Sequence, residues 1–136
     1  MQRKIAVDSG PLIALFDKDD AYYDRALAFI KNVKSELMTT AAVITEVVYV
    51  LDFSVRAQAG FLRWIGSGAV TVDSPPAEDF PRIAALMEKY HDLPMDYADA
   101  SLVALCDRLH VDDIASIDSD FSIYRLKGNR RFRNRF

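Results

Sequence analysis

Four carboxylates stand in places where the chain offers them little water. Glu46 is the only charged residue between Glu36 and Asp52, within Leu37-Met-Thr-Thr-Ala-Ala-Val-Ile-Thr-Glu-Val-Val-Tyr-Val-Leu51. Asp8, Asp99 and Asp118 each adjoin an apolar segment far away in sequence. Burying an unpaired charge costs several kcal/mol or more, so such a group finds a cation or takes up a proton. Brought together, the four make an oxygen-rich pocket. With no Cys/His cluster to favour zinc, the ion expected there is Mg²⁺ or Mn²⁺. Such an ion polarises a phosphoryl oxygen, generates a hydroxide nucleophile and stabilises the leaving oxygen. The chemistry expected is metal-assisted hydrolysis of a phosphodiester.

The surrounding elements must do the gathering. Lys4-Ile-Ala-Val7 is short, apolar and β-branched, and Asp8-Ser-Gly-Pro11 follows it. That order predicts a strand, a turn, and a helix through Phe16 capped by Asp8 or Ser9, with Pro11 in its first turn. A helix is expected over 20–33, a strand over 36–40 and a buried helix over 41–53. An amphipathic helix over 54–65 turns Phe61, Leu62 and Ile65 inward. Gly66-Ser-Gly68 breaks the chain before a third strand, 69–72. Helices over 77–90 and 96–109 precede a fourth strand, 114–117, and a fifth is expected over 123–127. Strands alternating with helices predict an α/β fold with a parallel sheet. Ligand sites of such sheets lie at the carboxyl ends of the strands. Asp8 and Asp118 directly follow strands there. Asp96 and Asp99 share the first turn of one helix, and Glu46 lies about one and a half turns into another.

Composition narrows the setting. A chain of 136 residues, 51% hydrophobic and 27% charged, reads as one soluble globular domain over 1–136. No apolar run reaches the ~18 residues that span a bilayer, so no membrane partner is expected. Met1-Gln-Arg-Lys4 running straight into the first strand gives no signal-peptide pattern. The single cysteine, Cys106, is expected in the core and in a reducing compartment, the cytoplasm. The last twelve residues hold six basic residues and no acid, whereas the other 124 carry 11 basic against 20 acidic. A basic tail from about residue 128, interleaved with aromatics, is compatible with a nucleic-acid partner through Arg130 and Arg131. An edge strand guarded by charge, with a frayed end, is the plainer reading and is placed slightly ahead.

Four segments in order make the chain recognisable. Ile5-Ala-Val-Asp-Ser-Gly-Pro-Leu-Ile-Ala-Leu15, Thr40-Ala-Ala-Val-Ile-Thr-Glu-Val47, Leu93-Pro-Met-Asp-Tyr-Ala-Asp-Ala-Ser101 and Ser116-Ile-Asp-Ser-Asp-Phe121 span nearly the whole chain. It resembles the PIN-domain family, particularly the single-domain toxin ribonucleases of VapBC-type toxin–antitoxin pairs. The resemblance implies a three-layer sandwich with a central, mainly parallel sheet of four to five strands flanked by helices. It implies Mg²⁺- or Mn²⁺-dependent endoribonuclease activity with Asp8, Glu46, Asp99 and Asp118 as the acidic set and metal ligands. A tRNA or rRNA target, inhibition by a small antitoxin and a homodimer are implied too. Ser116 stands where many relatives have Thr, and a hydroxyl is kept.

Each acid also has a plainer role. Asp8 and Asp96 could be helix caps, Asp99 could pair with Arg108 or Arg56, and Asp118 and Asp120 could shape a turn. A mid-helix carboxylate among Val and Ile, as Glu46 is, has no routine structural role, and its plainer reading is a side chain pointing outward at a helix edge. Asp96 is placed at the metal-site periphery and Asp120 in the turn. Ser9 and Ser116 are expected to hydrogen-bond the carboxylates or a substrate phosphate. Two rivals remain: a PIN-like module that binds RNA or protein without cutting, and a haloacid-dehalogenase-like phosphatase. The latter needs a second Asp where Gly10 stands.

Overall fold

The computed structural model describes residues 3–136. Five parallel strands form one sheet: β1 (Lys4–Val7), β2 (Glu36–Thr40), β3 (Thr71–Asp73), β4 (Asp113–Ala115) and β5 (Arg133–Asn134), in the order β3-β2-β1-β4-β5. Six helices connect and flank them: α1 (Ser9–Leu15), α2 (Tyr23–Asn32), α3 (Ala41–Val50), α4 (Val55–Gly66), α5 (Phe80–Lys89) and α6 (Tyr97–Leu109). Strand order runs away from β1 in both directions, through β2 to β3 on one side and through β4 to β5 on the other. Right-handed crossovers then lay helices on both faces, the expected α/β sandwich. Central strands covered on both faces must be apolar throughout. Ile5, Ala6, Val7, Ile114 and Ala115 are accordingly buried. Leu12, Val43, Val47, Phe61, Leu86 and Leu102 fill the layers above and below.

Four expectations need correction. Residues 123–127 form no strand: Ser119–Ser122 is a 3-10 turn, and Tyr124 and Leu126 are drawn into the core. The fifth strand lies instead at Arg133–Asn134, where the basic tail pairs in parallel with β4. Alternating charged side chains hide strand propensity when one face of an edge strand meets water. Leu62 is 46% exposed rather than inward, while Phe61 beside it is fully buried. The helix expected over 41–53 gives way to a 3-10 turn at Leu51–Phe53, and the one over 77–90 opens with another at Ala77–Asp79.

Candidate functional site

The strand order reverses between β1 and β4, and a parallel sheet opens a crevice at such a point. The chain leaves β1 at Asp8 and leaves β4 towards Asp118. α3 begins at the same rim directly after β2, capped by the Thr40 side chain, which accepts from the Val43 N–H. α6 brings in its first turn from the other side. The Thr40 and Ser101 hydroxyls, 2.7 Å apart and buried, tie the end of β2 to α6. A cleft of about 450 Å³ results, lined by Asp8, Glu46, Asp96, Asp99, Asp118 and Asp120 together with Ser9, Gly10, Leu93, Pro94 and Ile117. Among the described residues no Lys, Arg or His lines it. A larger hollow of about 680 Å³ lies between α2 and the end of the chain, but no acid lines it.

The acids are held in different ways. Asp8 is 4% exposed and Asp99 8%; Glu46 is half-buried, and Asp96 and Asp118 reach solvent. Asp8 precedes α1 without a capping hydrogen bond from its side chain, and Oδ2 accepts from Ser116 Oγ at 2.9 Å. Its Oδ1 is buried with no hydrogen-bond partner. Ser9 Oγ donates to Glu46 Oε1, so both serines support carboxylates. Asp99 pairs with no arginine; the hydroxyl of Tyr124 donates to its Oδ2 at 3.2 Å. Arg108 goes instead to Asp73 and Asp79. Asp96 does cap α6, accepting from the Asp99 N–H at 2.8 Å. Asp118 accepts from the Asp120 N–H at 2.9 Å, the turn role foreseen for it. A cap or a turn is therefore compatible with a place in the cleft.

Without a cation, this arrangement is electrostatically costly. Burial, offset in part by the Ser9 backbone and the Ser116 hydroxyl, raises the Asp8 carboxyl from 3.8 to about 6. Burial, then the charges of Asp8 and Asp96, raises Asp99 to about 8. Glu46 is also raised, first by burial and then, against the Ser9 bond, by Asp96. Among the described residues no three His, Cys, Asp or Glu side chains already close as a metal-binding cluster. The acids line the cleft rather than converge on one point. The donor set still fits a hard divalent ion: every donor is oxygen, one buried oxygen is unpartnered, and the charge is uncompensated.

Three signals were missed or misplaced by sequence. Tyr124 was read as strand, not as the partner of Asp99. Asn134 bonds the backbone of Ser116 twice, Nδ2 donating to its oxygen at 2.9 Å and Oδ1 accepting from its N–H at 3.3 Å. The tail thus buttresses the site. Arg130, by contrast, bonds Asp112 at the far end of β4, and neither it nor Arg131 lines the cleft. A pattern linking residues this far apart leaves no periodic trace in a sequence.

The PIN-domain family model matches residues 5–127. The chain belongs to the PIN-domain family. Ribonuclease VapC26 of Mycobacterium tuberculosis is 28% identical over 129 residues, covering 93% of this chain and 96% of that protein. Among solved structures, VapC20 of Mycobacterium tuberculosis, described as a Sarcin-Ricin loop cleaving toxin, superposes with a TM-score of 0.80 at 21% identity, over 88% of this chain and 93% of the other. VapBC2 from Rickettsia felis, bound to a DNA fragment from its promoter, gives 0.62 at 12% identity, over 96% and 98%. This PIN domain therefore has the VapC fold over nearly its whole length. Among the described residues no helix is long and apolar enough to cross a membrane.

Proposed function

We propose that this PIN domain is a divalent-metal-dependent endoribonuclease, with Asp8, Glu46, Asp99 and Asp118 holding Mg²⁺ or Mn²⁺ and Asp96 at the periphery. One observation carries the reading: carboxylates from four separated segments line one cleft, two of them buried, with no cation among them. The similarity to Ribonuclease VapC26 and to a toxin that cuts the Sarcin-Ricin loop supports RNA as substrate and rRNA or tRNA as its class. The VapBC2 assembly supports a small antitoxin as partner. The whole chain is read as one domain, acting as a homodimer in the cytoplasm, where its buried free Cys106 stays reduced.

When bound, the ion supplies Lewis acidity at the phosphoryl group and lowers the pKa of its water. The residues do the rest. Ser116 orients Asp8, and Ser9 orients Glu46. One of the carboxylates orients the attacking water, and half-buried Glu46, its pKa raised by burial, is the one assigned to take its proton. Water adds to phosphorus as the bond to the 3′ oxygen breaks, and the leaving 3′ oxygen takes a proton from solvent, giving a 5′-phosphate and a 3′-hydroxyl. Next to this cleft an apolar groove of about 390 Å³ shares Glu46 and Asp96 and is flanked by Tyr49 and Tyr97, 75% and 40% exposed. Exposed rings so near the acids suit stacking of an unpaired base. Arg131, exposed and without an ion pair, is the tail residue free to meet a phosphate; Arg130 is engaged with Asp112.

The phosphatase alternative loses ground here. A Cβ on Gly10 would lie 3.1 Å from Ile117 Cδ1, leaving a carboxylate no room without movement. The decisive experiment is cleavage of total cellular RNA with Mg²⁺ or Mn²⁺ by antitoxin-free protein, alongside Asp8→Asn and Glu46→Gln. Metal-dependent cuts lost in both variants support the nuclease. RNA left intact by the wild type while it still binds RNA would favour the non-cutting module.

A further inference from the structure

Tyr124 is fully buried, yet it does more than fill space. Its ring stands edge-on to Tyr90 at 5.1 Å and to Phe121 at 5.0 Å. A buried tyrosine hydroxyl needs a polar partner, and here it takes a carboxylate from another element, donating to Asp99 Oδ2. Among the described residues nothing donates to Asp99 Oδ1, and Asp99 lines the cleft. The carboxylate is therefore gripped by one oxygen and left free at the other. The backbone N–H of Tyr124 also donates to Asp120 O at 3.1 Å. One residue thus connects α6, which carries Asp99, to the turn that carries Asp118 and Asp120.

We propose that Tyr124 is a positioning residue of this site: its hydroxyl fixes Asp99 with one oxygen free for the cleft, while its ring and backbone hold the Asp118 turn at the matching distance. This rests on Asp99 being a metal ligand. Partners that orient a ligand in this way commonly change metal affinity or activity 10–100-fold when removed. Nothing in the fold requires a hydroxyl at this point, because a phenylalanine would make the same ring contacts with Tyr90 and Phe121.

The test uses the full chain and Mn²⁺ alone, titrated by the electron paramagnetic resonance of the free ion, with no RNA present. Tyr124→Phe keeps the ring and is expected to fold. The control is Tyr90→Phe, which removes a hydroxyl from the same aromatic group; that hydroxyl accepts from the Arg125 N–H at 3.0 Å and touches no acid. The expected result is Mn²⁺ binding weakened about 10–100-fold in Tyr124→Phe and changed less than about twofold in Tyr90→Phe. At saturating RNA the turnover rate of Tyr124→Phe falls while KM stays put. Unchanged Mn²⁺ affinity in Tyr124→Phe overturns the inference, as does an equal loss in both variants, which would assign the effect to the aromatic packing. A wild type that binds no Mn²⁺ overturns the inference and the metal reading together, an outcome distinct from the other two.

Discussion

Asp99 and Asp107 sit on one helix, eight residues apart and almost equally buried, at 8% and 7% exposure. The chain treats them in opposite ways. Asp107 has an ion pair with Arg82 at 3.0 Å and accepts from the Lys127 N–H at 2.7 Å. Asp99 has a tyrosine hydroxyl and a ring of other acids. The same contrast holds along the sheet: Asp113, entering β4, bonds Arg133 at 2.9 Å, whereas Asp8, leaving β1, has only Ser116 and an unpartnered oxygen. Burial of a carboxylate is thus not in itself a mark of function. The absence of a counter-charge is, because a fold that needed only stability would have paired or replaced these groups.

The contrast is most exposed to failure in paired substitutions. Asp99→Asn or Asp8→Asn is expected to cut RNA cleavage by more than about 100-fold, beyond the range for an outer partner. Asp107→Ala should leave cleavage per folded molecule intact and cost roughly 2–3 kcal/mol of stability, less than a fully buried pair because Arg82 reaches solvent. Gel assays and urea unfolding on the same preparations measure both. Cleavage lost equally in Asp107→Ala would dissolve the distinction.

Stability against pH sharpens it next. The folded pKa values of Asp8 and Asp99 lie above the ordinary carboxylate value of 3.8, at about 6 and about 8. The folded state therefore keeps protons that the unfolded chain releases. Stability without metal is fullest below about pH 4 and falls as pH rises from there, the Asp8 share of on the order of 2–3 kcal/mol being lost by about pH 6 and the Asp99 share by about pH 8. Denaturant melts in EDTA across that window should show the decline, and millimolar Mg²⁺ or Mn²⁺ should flatten it. Asp8→Asn should shrink the decline without metal, leaving the part that belongs to Asp99. A curve rising with pH would contradict the unpaired cluster.

Smaller effects probe the supports. Ser116→Ala frees Asp8 Oδ2 and should weaken Mn²⁺ binding about tenfold, read by the same resonance titration; an unchanged affinity would leave that serine a turn residue. Tyr49→Ala is expected to raise KM for RNA about fivefold or more with turnover unchanged, the value of one stacked base at about 1 kcal/mol or above. Steady-state kinetics on a short single-stranded oligonucleotide would decide that.

Much of this was legible in the residues. β1 and β2 fall where the apolar, β-branched runs lie, and Asp8, Glu46, Asp99 and Asp118 were singled out as charges beside apolar segments, Glu46 alone without a routine structural role. The strand ends located the rim, since every parallel strand delivers its successor residue there. Asn134 and Tyr124 were illegible because their significance lies in contacts with Ser116 and Asp99, 18 and 25 residues away. Local pattern carries no information about such partners.

The sequence by itself determined the α/β alternation, the family and the identity of the acids, because periodicity and composition act over a few neighbouring residues. Tertiary structure alone decided which buried carboxylates receive a cation. Arg82 reaches Asp107 and Arg133 reaches Asp113, while no Arg or Lys reaches the cleft between β1 and β4. Coulomb energy depends on distance through space, and the fold sets that distance for residues the chain keeps far apart.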